Sequence, residues 1–246
     1  MKFPLLFAVV IWLRAQSPAF EVASVRLNKS GGNTEVRPEP GRLTITNMTL
    51  RAMVQYAYEV RDFQVSGGPS WFDSDHWDVS AAASREVSDK ERRRMLEALL
   101  IDRFQMTIRR DTKELPVYAL VVAKNGPKLT PNKDGAPERI GLRIGSNGLA
   151  IAGVSVGLPK LADTLFNHVG RLVQDRTGIQ GRFDFNLEFV PDATNTPRLN
   201  GAKMEFTGDG PSIFTAVQEQ LGLKLESTKG PVEVLFVDRA MRATEN

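Results

Sequence analysis

The strongest constraint on this chain is that its pattern is written twice. Leu50, Met53, Val54, Ala57 and Tyr58 have the spacing of one helix face, and Leu158, Leu161, Ala162, Leu165 and Phe166 repeat it 108 residues later. Both stretches are expected to be amphipathic helices. The same displacement carries Val65 to Val173, Trp71 to Ile179, Trp77 to Phe185 and Val79 to Leu187, in runs that break at Gly67-Gly68-Pro69 or Thr177-Gly178 and then alternate again. A second helix follows each run: Leu96, Leu99, Leu100 and Phe104 correspond to Ile213, Ala216, Val217 and Leu221, now 117 residues apart. The added length falls in a polar linker, residues 191–210. Ser88 with Glu91 reads as a capping box, and Pro211 as a first-turn residue after Asp209-Gly210.

Met106 and Ile108 then match Leu223 and Leu225. Turns are expected at Asp111-Thr112-Lys113 and Thr228-Lys229-Gly230, and the strands 116–122 and 231–237 follow, each opening on proline. Strand-like runs also precede each first helix, at 20–26 with 42–46 and at 140–144 with 149–154. Each half thus reads roughly ββαββαββ. The expected fold is α+β: two similar modules from an internal duplication, each an antiparallel sheet carrying two helices. Its expected boundaries are a signal peptide at 1–19, a first module at 20–124, a linker at 125–139 and a second module at 140–246. Trp71, Trp77, Leu100 and Phe104 are expected in the first core, and Ile179, Phe185, Val217 and Leu221 in the second. A hairpin-helix pattern shared without common ancestry is the alternative.

The first residues read as an address. Lys2 precedes an apolar run at residues 3–13, followed by Arg14-Ala15-Gln16-Ser17-Pro18-Ala19. Eleven apolar residues at ~1.5 Å each cross about half of a ~30 Å hydrocarbon core, so cleavage near Ala15 or Ala19 is expected rather than a span. Removing Lys2 and Arg14 leaves 30 basic against 29 acidic residues from the 32 and 29 of the whole chain. A chain so nearly neutral, without a basic stripe, is not expected to bind nucleic acid. It has no cysteine, which excludes disulfides, thiolate nucleophiles and a lipidated N-terminal cysteine.

Several short motifs share an order with one group: Phe20-Glu21-Val22-Ala23-Ser24-Val25-Arg26, Thr49-Leu50-Arg51, Val65-Ser66-Gly67-Gly68-Pro69, Asp102-Arg103-Phe104, Thr112-Lys113-Glu114-Leu115-Pro116-Val117-Tyr118, Asp175-Arg176-Thr177-Gly178, Gln218-Glu219-Gln220-Leu221-Gly222-Leu223-Lys224-Leu225 and Lys229-Gly230-Pro231-Val232-Glu233-Val234. Over residues 20–246 the chain resembles the soil-associated family of exported proteins expanded in acidobacteria, described as a domain of unknown function. The resemblance implies export from a bacterial cell, to the periplasm or beyond, and brings no activity with it. Each half is also faintly similar to the small modules at the N-termini of secretins and TonB-dependent receptors, an analogy of fold alone.

The densest polar run is Trp71-Phe72-Asp73-Ser74-Asp75-His76-Trp77-Asp78. Its acids miss the calcium-loop spacing, so a turn into a strand with solvated acids is expected. His76 and His168 are the only histidines, His168 being read at an exposed helix end; there is no Ser-x-x-Lys, Gly-x-Gly-x-x-Gly or phosphate loop. Arg92-Arg93-Arg94 reads as a solvated face. No catalytic residue, metal ligand or cofactor is therefore assigned, and the ligand-binding residues are left open. The expectation is an exported, non-enzymatic binding or interaction protein whose partner is a protein or an envelope or extracellular ligand. The alternatives are an exported hydrolase whose acids converge only in three dimensions, and a cell-envelope or sensor accessory.

Overall fold

The computed structural model describes residues 18–145, 148–192, 198–199, 202–203, 206 and 209–244. The apolar run at 3–13 and the cleavage position at Ala15 lie outside the described residues. The chain divides into two units, Met1–Thr112 with Val232–Asn246, and Lys113–Pro231. Both mix helices with antiparallel sheet, which makes the class α+β.

In chain order the first unit holds β1 (Val22–Leu27), β2 (Glu35–Glu39), β3 (Arg42–Thr49), α1 (Leu50–Tyr58), β4 (Val65–Gly67), β5 (His76–Ala82), α2 (Asp89–Arg103) and the opening of β6 (Thr107–Val122). The second holds the rest of β6, then β7 (Thr130–Pro131), β8 (Arg139–Gly145), β9 (Gly148–Val156), α3 (Leu158–Val169), β10 (Val173–Asp175), β11 (Phe183–Phe189), β12 (Arg198–Leu199), β13 (Ala202–Lys203), α4 (Ile213–Leu221) and the opening of β14 (Leu223–Arg239). From Val232 onward β14 belongs to the first unit.

The first unit's antiparallel sheet runs β1-β5-β3-β2, and the second's runs β7-β11-β9-β8. In each, alternate residues of the central strands face the helices: Leu43, Ile45 and Val79 in one, Leu149, Ile151 and Leu187 in the other, all 1 % exposed or less. The helix faces expected from the sequence meet them, with Leu50, Met53, Val54 and Ala57 on α1, Leu96, Leu99 and Leu100 on α2, Leu158, Leu161, Ala162 and Leu165 on α3, and Ile213, Ala216, Val217 and Leu221 on α4. Fully burying each large aliphatic side chain contributes ~1.5–3 kcal/mol, which is why the helical period is the most legible signal in the chain.

Helix ends follow the local chemistry, with two corrections. Ser88 accepts from the Glu91 N–H, but the Glu91 carboxylate turns to Arg85, so only half of the expected capping box is made. The cap of α4 is Ser212, which accepts from Thr215 N–H, and Pro211 lies just outside the helix. That helix stops at Gly222, whose φ of +64° suits glycine and where any Cβ would collide with the Gly126 carbonyl.

Two expectations about strands fail. The turns at Asp111-Thr112-Lys113 and Thr228-Lys229-Gly230 do not form, because β6 and β14 run straight through them. A tight hairpin turn needs positive φ at a central residue, and none of these six residues has it. The straight strands send each half's last arm to the other half's core: Leu120 packs in the second cluster, and Leu235 and Val237 in the first. The sequence halves 20–124 and 140–246 cut the chain elsewhere than these units do.

The other failure is of register. β2 was not among the expected strands, and β8 corresponds to it rather than to β1, since β2 lies against β3 as β8 lies against β9. Likewise Trp77 pairs with Met48 as Phe183 pairs with Val156, so Trp77 corresponds to Phe183 and not to Phe185. Trp71, Trp77, Leu100 and Phe104 are buried as expected, and so are Val217 and Leu221, but Ile179 and Phe185 are only half-buried. Phe185 lies over Gly153, its cross-strand partner, at the margin of the core.

Candidate functional site

The acid-rich run after Trp71 is dispersed among four different partners. Asp73, on a single helical turn (Ser70–Asp73), is paired with the Arg51 guanidinium of α1. Asp75 accepts from Arg242 Nε at 2.7 Å, in the C-terminal segment, and Arg242 also lies 5.2 Å over the Trp71 ring. Asp78 accepts from Asn28 Nδ2 at 2.9 and 3.1 Å and from the Asn47 N–H at 2.8 Å. The acids thus tie α1, the C-terminal segment and the end of β1 to this stretch; Asp75 and Asp78 are partly buried in their pairs, while the Asp73 side chain stays 57 % exposed, as the solvated reading expects. No group of three or more His, Asp or Glu suited to a metal ion exists among the described residues.

Two other expectations are corrected here. His168 is half-buried rather than at an exposed end, edge-on to Phe189 at 5.0 Å, and burial lowers its pKa. Arg92 is 6 % exposed and donates to Asp89 Oδ1 at 2.8 Å. Arg93 donates to the Tyr56 carbonyl and lies 4.3 Å over the Tyr56 ring. Of the three arginines only Arg94 is an exposed side chain, because long stems on a core-adjacent helix bury while their heads reach polar partners.

The arrangement around Asp78 recurs in the second unit, and nothing in the sequence analysis anticipated it. Asp184 accepts from Asn132 Nδ2 at 3.0 and 3.1 Å and from the Ser155 N–H at 2.8 Å. Asn47 and Ser155 both sit in bulges, between Ile45 and Met48 on β3 and opposite Phe183 and Phe185 on β9, with φ of +51° and +55°. Asn28 N–H donates to the His76 carbonyl and Asn132 N–H to the Arg182 carbonyl, both at 2.8 Å. Each carboxylate therefore satisfies a bulge donor that the sheet ladder leaves free and holds the end of the neighbouring strand.

Two shifted titratable groups, Glu97 and Tyr58, lie together in the first unit. Arg110 of β6 lies 3.7 Å from Glu97 of α2 and 3.0 Å from Glu233 of β14, and 5.2 Å over the Tyr58 ring of α1. Burial raises the Glu97 pKa against the pull of Arg110, and burial together with Glu97 pushes Tyr58 up to about 12. Gln64 locks the base of the group, donating to the Glu233 carbonyl at 2.7 Å and accepting from Arg61 N–H at 2.9 Å. Such a cluster biases a phenol and a carboxyl toward their protonated forms beside one arginine, which is also what a structural network does.

Each unit also carries a surface cleft beside its core. One of about 280 Å³ in the first unit is lined by Phe20, Ala23, Met95, Leu99, Asp102 and Arg103. One of about 420 Å³ in the second is lined by Arg143, Ile144, Leu149, Glu188, Phe189 and Pro211. Beside the second cleft, Leu142 and Ile144 of β8 are 46 % and 50 % exposed, although their cross-strand partners Ile151 and Leu149 are core residues. Directly paired residues point to the same side of a sheet, so the core-facing side of the second sheet runs out into solvent along β8.

Fold and site together define a mixed α+β protein of two units, each with a bulged four-stranded antiparallel sheet clasped by one aspartate and carrying helices on one face. Residues 51–240 match the family described as Protein of unknown function (DUF3738), and the chain belongs to that family. No curated protein and no solved structure matches it. Among the described residues no helix is long and apolar enough to cross a membrane.

Proposed function

We propose that the chain is an exported bacterial protein, built by internal duplication, that binds a partner or ligand outside the cytoplasm and does not turn it over. The N-terminal order of Lys2, an apolar run and a polar segment supports export. The paired clasps at Asp78 and Asp184 support the duplication, since bulge, aspartate and asparagine agree in both units. The observation that carries the binding reading is the uncovered apolar side of β8, where Leu142 and Ile144 extend a core face into solvent.

A hydrolase reading is favoured by one observation, the raised Glu97 carboxyl beside Arg110 and Tyr58. The two readings separate in one experiment: the chain from residue 18 onward is run through a broad hydrolase panel and, in parallel, through binding assays with envelope polysaccharides and peptides. Saturable binding without turnover is expected. Turnover that Glu97→Gln abolishes while the melting temperature holds would establish the enzyme instead.

A further inference from the structure

We propose that the outer edge of β8 is a strand-addition site for an extended polypeptide segment that alternates apolar and acidic residues. This rests on the binding reading above and names its partner class. Among the described residues β8 has one strand neighbour, β9, and ends the sheet. Its sequence, Arg139-Ile140-Gly141-Leu142-Arg143-Ile144-Gly145, contains no proline and no acid. An unpaired edge of this kind presents backbone donors and acceptors to any chain that can lie along it.

The side chains of β8 dictate what would lie there. Ile140, Leu142 and Ile144 share the side of Leu149 and Ile151, while Arg139 and Arg143 share the opposite side with Val154 and Ala150. Both arginines are exposed, Arg143 donating to Asn186 Oδ1 at 3.1 Å. The nearest acids have other partners: Glu138 accepts from Arg182 at 3.0 Å, and Glu188 accepts from Asn186 at 2.7 Å. An added strand has period two, so it would place apolar side chains beside Leu142 and Ile144 and its alternate ones beside Arg139 and Arg143. Those alternate residues are best acidic.

The corresponding edge of the first unit shows what a closed edge looks like. Against β3, Glu35, Pro38 and Glu39 of β2 stand opposite Thr46, Leu43 and Arg42; against β9, Arg139, Leu142 and Arg143 of β8 stand opposite Val154, Ile151 and Ala150. Both charges are reversed and a proline is replaced by an exposed leucine. A second copy of the chain is the poorer occupant: antiparallel pairing of β8 with itself over its full length, centred on Leu142, brings no acid to the arginine side and sets Arg139 of each copy diagonal to Arg143 of the other. The β2 strand carries complementary acids, but Glu35 is tied to Arg37 at 2.6 Å and Pro38 lacks a backbone donor.

The test measures binding of a synthetic Val-Glu-Val-Glu-Val-Glu-Val peptide to the chain from residue 18 onward, beside a Lys-for-Glu version and a scrambled peptide of the same composition. The acidic alternating peptide is expected to bind about tenfold tighter than either control. Arg139→Glu with Arg143→Glu is expected to invert the preference toward the lysine peptide at unchanged melting temperature. Equal binding of all three peptides, or a preference that survives the double charge reversal, would overturn the site. So would concentration-dependent self-association that the same reversal abolishes, which assigns the edge to a second copy. A chain that catalyses yet selects the acidic strand overturns only the non-enzymatic reading. One that neither catalyses nor discriminates among the peptides overturns only the strand-addition site.

Discussion

At the second residue of α1 the first unit carries an arginine that pairs with an acid, and at the second residue of α3 the second unit carries a proline. Arg51 pairs with Asp73 and donates to the Val65 carbonyl at 2.9 Å, where the matching position in the second unit is Pro159. The first core stacks Trp71, Trp77 and Phe104 within 6.3 Å of one another, and the C-terminal segment is fixed over it by Arg242 and by Met241 N–H on the Phe104 carbonyl. In the second, Phe185 and Ile179 are only half-buried and the β8 edge is open. One chain order thus supports a unit whose edge strand β2 carries proline and acids and another whose edge strand β8 leaves Leu142 and Ile144 uncovered. Surface left uncovered on the less constrained of two like scaffolds is where recognition has room to change.

The largest effect should come from the matched core positions Phe104 and Leu221. Phe104→Ala is expected to cost ~3–5 kcal/mol and Leu221→Ala ~2–5, with Phe104 the more expensive because it leaves two tryptophans without their ring partner. Chemical denaturation of both variants reads this directly, and a greater loss at Leu221 would reverse the contrast between the cores. Next come the clasps. Asp78→Ala and Asp184→Ala each strip an acceptor from a bulge N–H and an asparagine, and each is expected to cost about 1–3 kcal/mol. Double-mutant cycles should find coupling of Asp78 to Asn28 and of Asp184 to Asn132, and none between the clasps. Unequal costs would mean that only one unit depends on the device.

Those clasps mark where sequence reading stopped. Helix faces were legible because a 3.6 period is written directly in residue types, and every apolar position assigned to α2 and α4 is buried. The clasp residues lie 104, 108 and 106 apart in chain number, from Asn28 to Asn132, Asn47 to Ser155 and Asp78 to Asp184, so no single displacement aligns them. β2 escaped because Glu35-Val36-Arg37-Pro38-Glu39 carries proline and three charges, and only its place beside β3 makes it a strand. The exchanged arms escaped because turn residues around 111–113 and 228–230 permit a hairpin without requiring one, and the choice is made by packing far away in sequence. Arg92 and Arg93 look solvated in any charge count, since whether a stem lies on a core is a tertiary fact.

Glu97 and Tyr58 give the first unit a pH signature of raised groups, whereas the shifted group of the second unit is His168, lowered by burial. Burial raises the Glu97 pKa, so ionising that carboxyl is harder in the folded chain than in the unfolded one. Its contribution is therefore full below the ordinary glutamate range and is lost as pH rises through the raised value. Glu97→Gln should remove this slope and match or exceed the wild type in stability at neutral pH. Tyr58, pushed up to about 12 from 10, should lose its contribution between those two values, and Tyr58→Phe should delete one late step from an ultraviolet titration. A variant less stable than wild type at neutral pH would mean that the Arg110 pairing outweighs burial.

The smallest effects test whether the closure of the first unit can be moved. Arg51→Ala should cost about 1–2 kcal/mol, mostly through the charge-assisted bond to the Val65 carbonyl, because the Asp73 partner is 57 % exposed and exposed pairs contribute little. An arginine in the first turn of a helix also opposes the helix dipole, so this residue stays favourable only while its acceptors are in place. At the matching positions the second unit has no carboxylate: Arg51 also lies 3.5 Å from Asp62, and the positions matching Asp62 and Asp73 are Gly170 and either Ile179 or Gly181. Pro159→Arg should therefore gain no acidic partner and lose the preset φ of proline, a net cost of about 0.5 kcal/mol. If Pro159→Arg instead stabilises the chain in urea denaturation, the second unit holds acceptors equivalent to those of Arg51, and the contrast in polar closure between the two units falls.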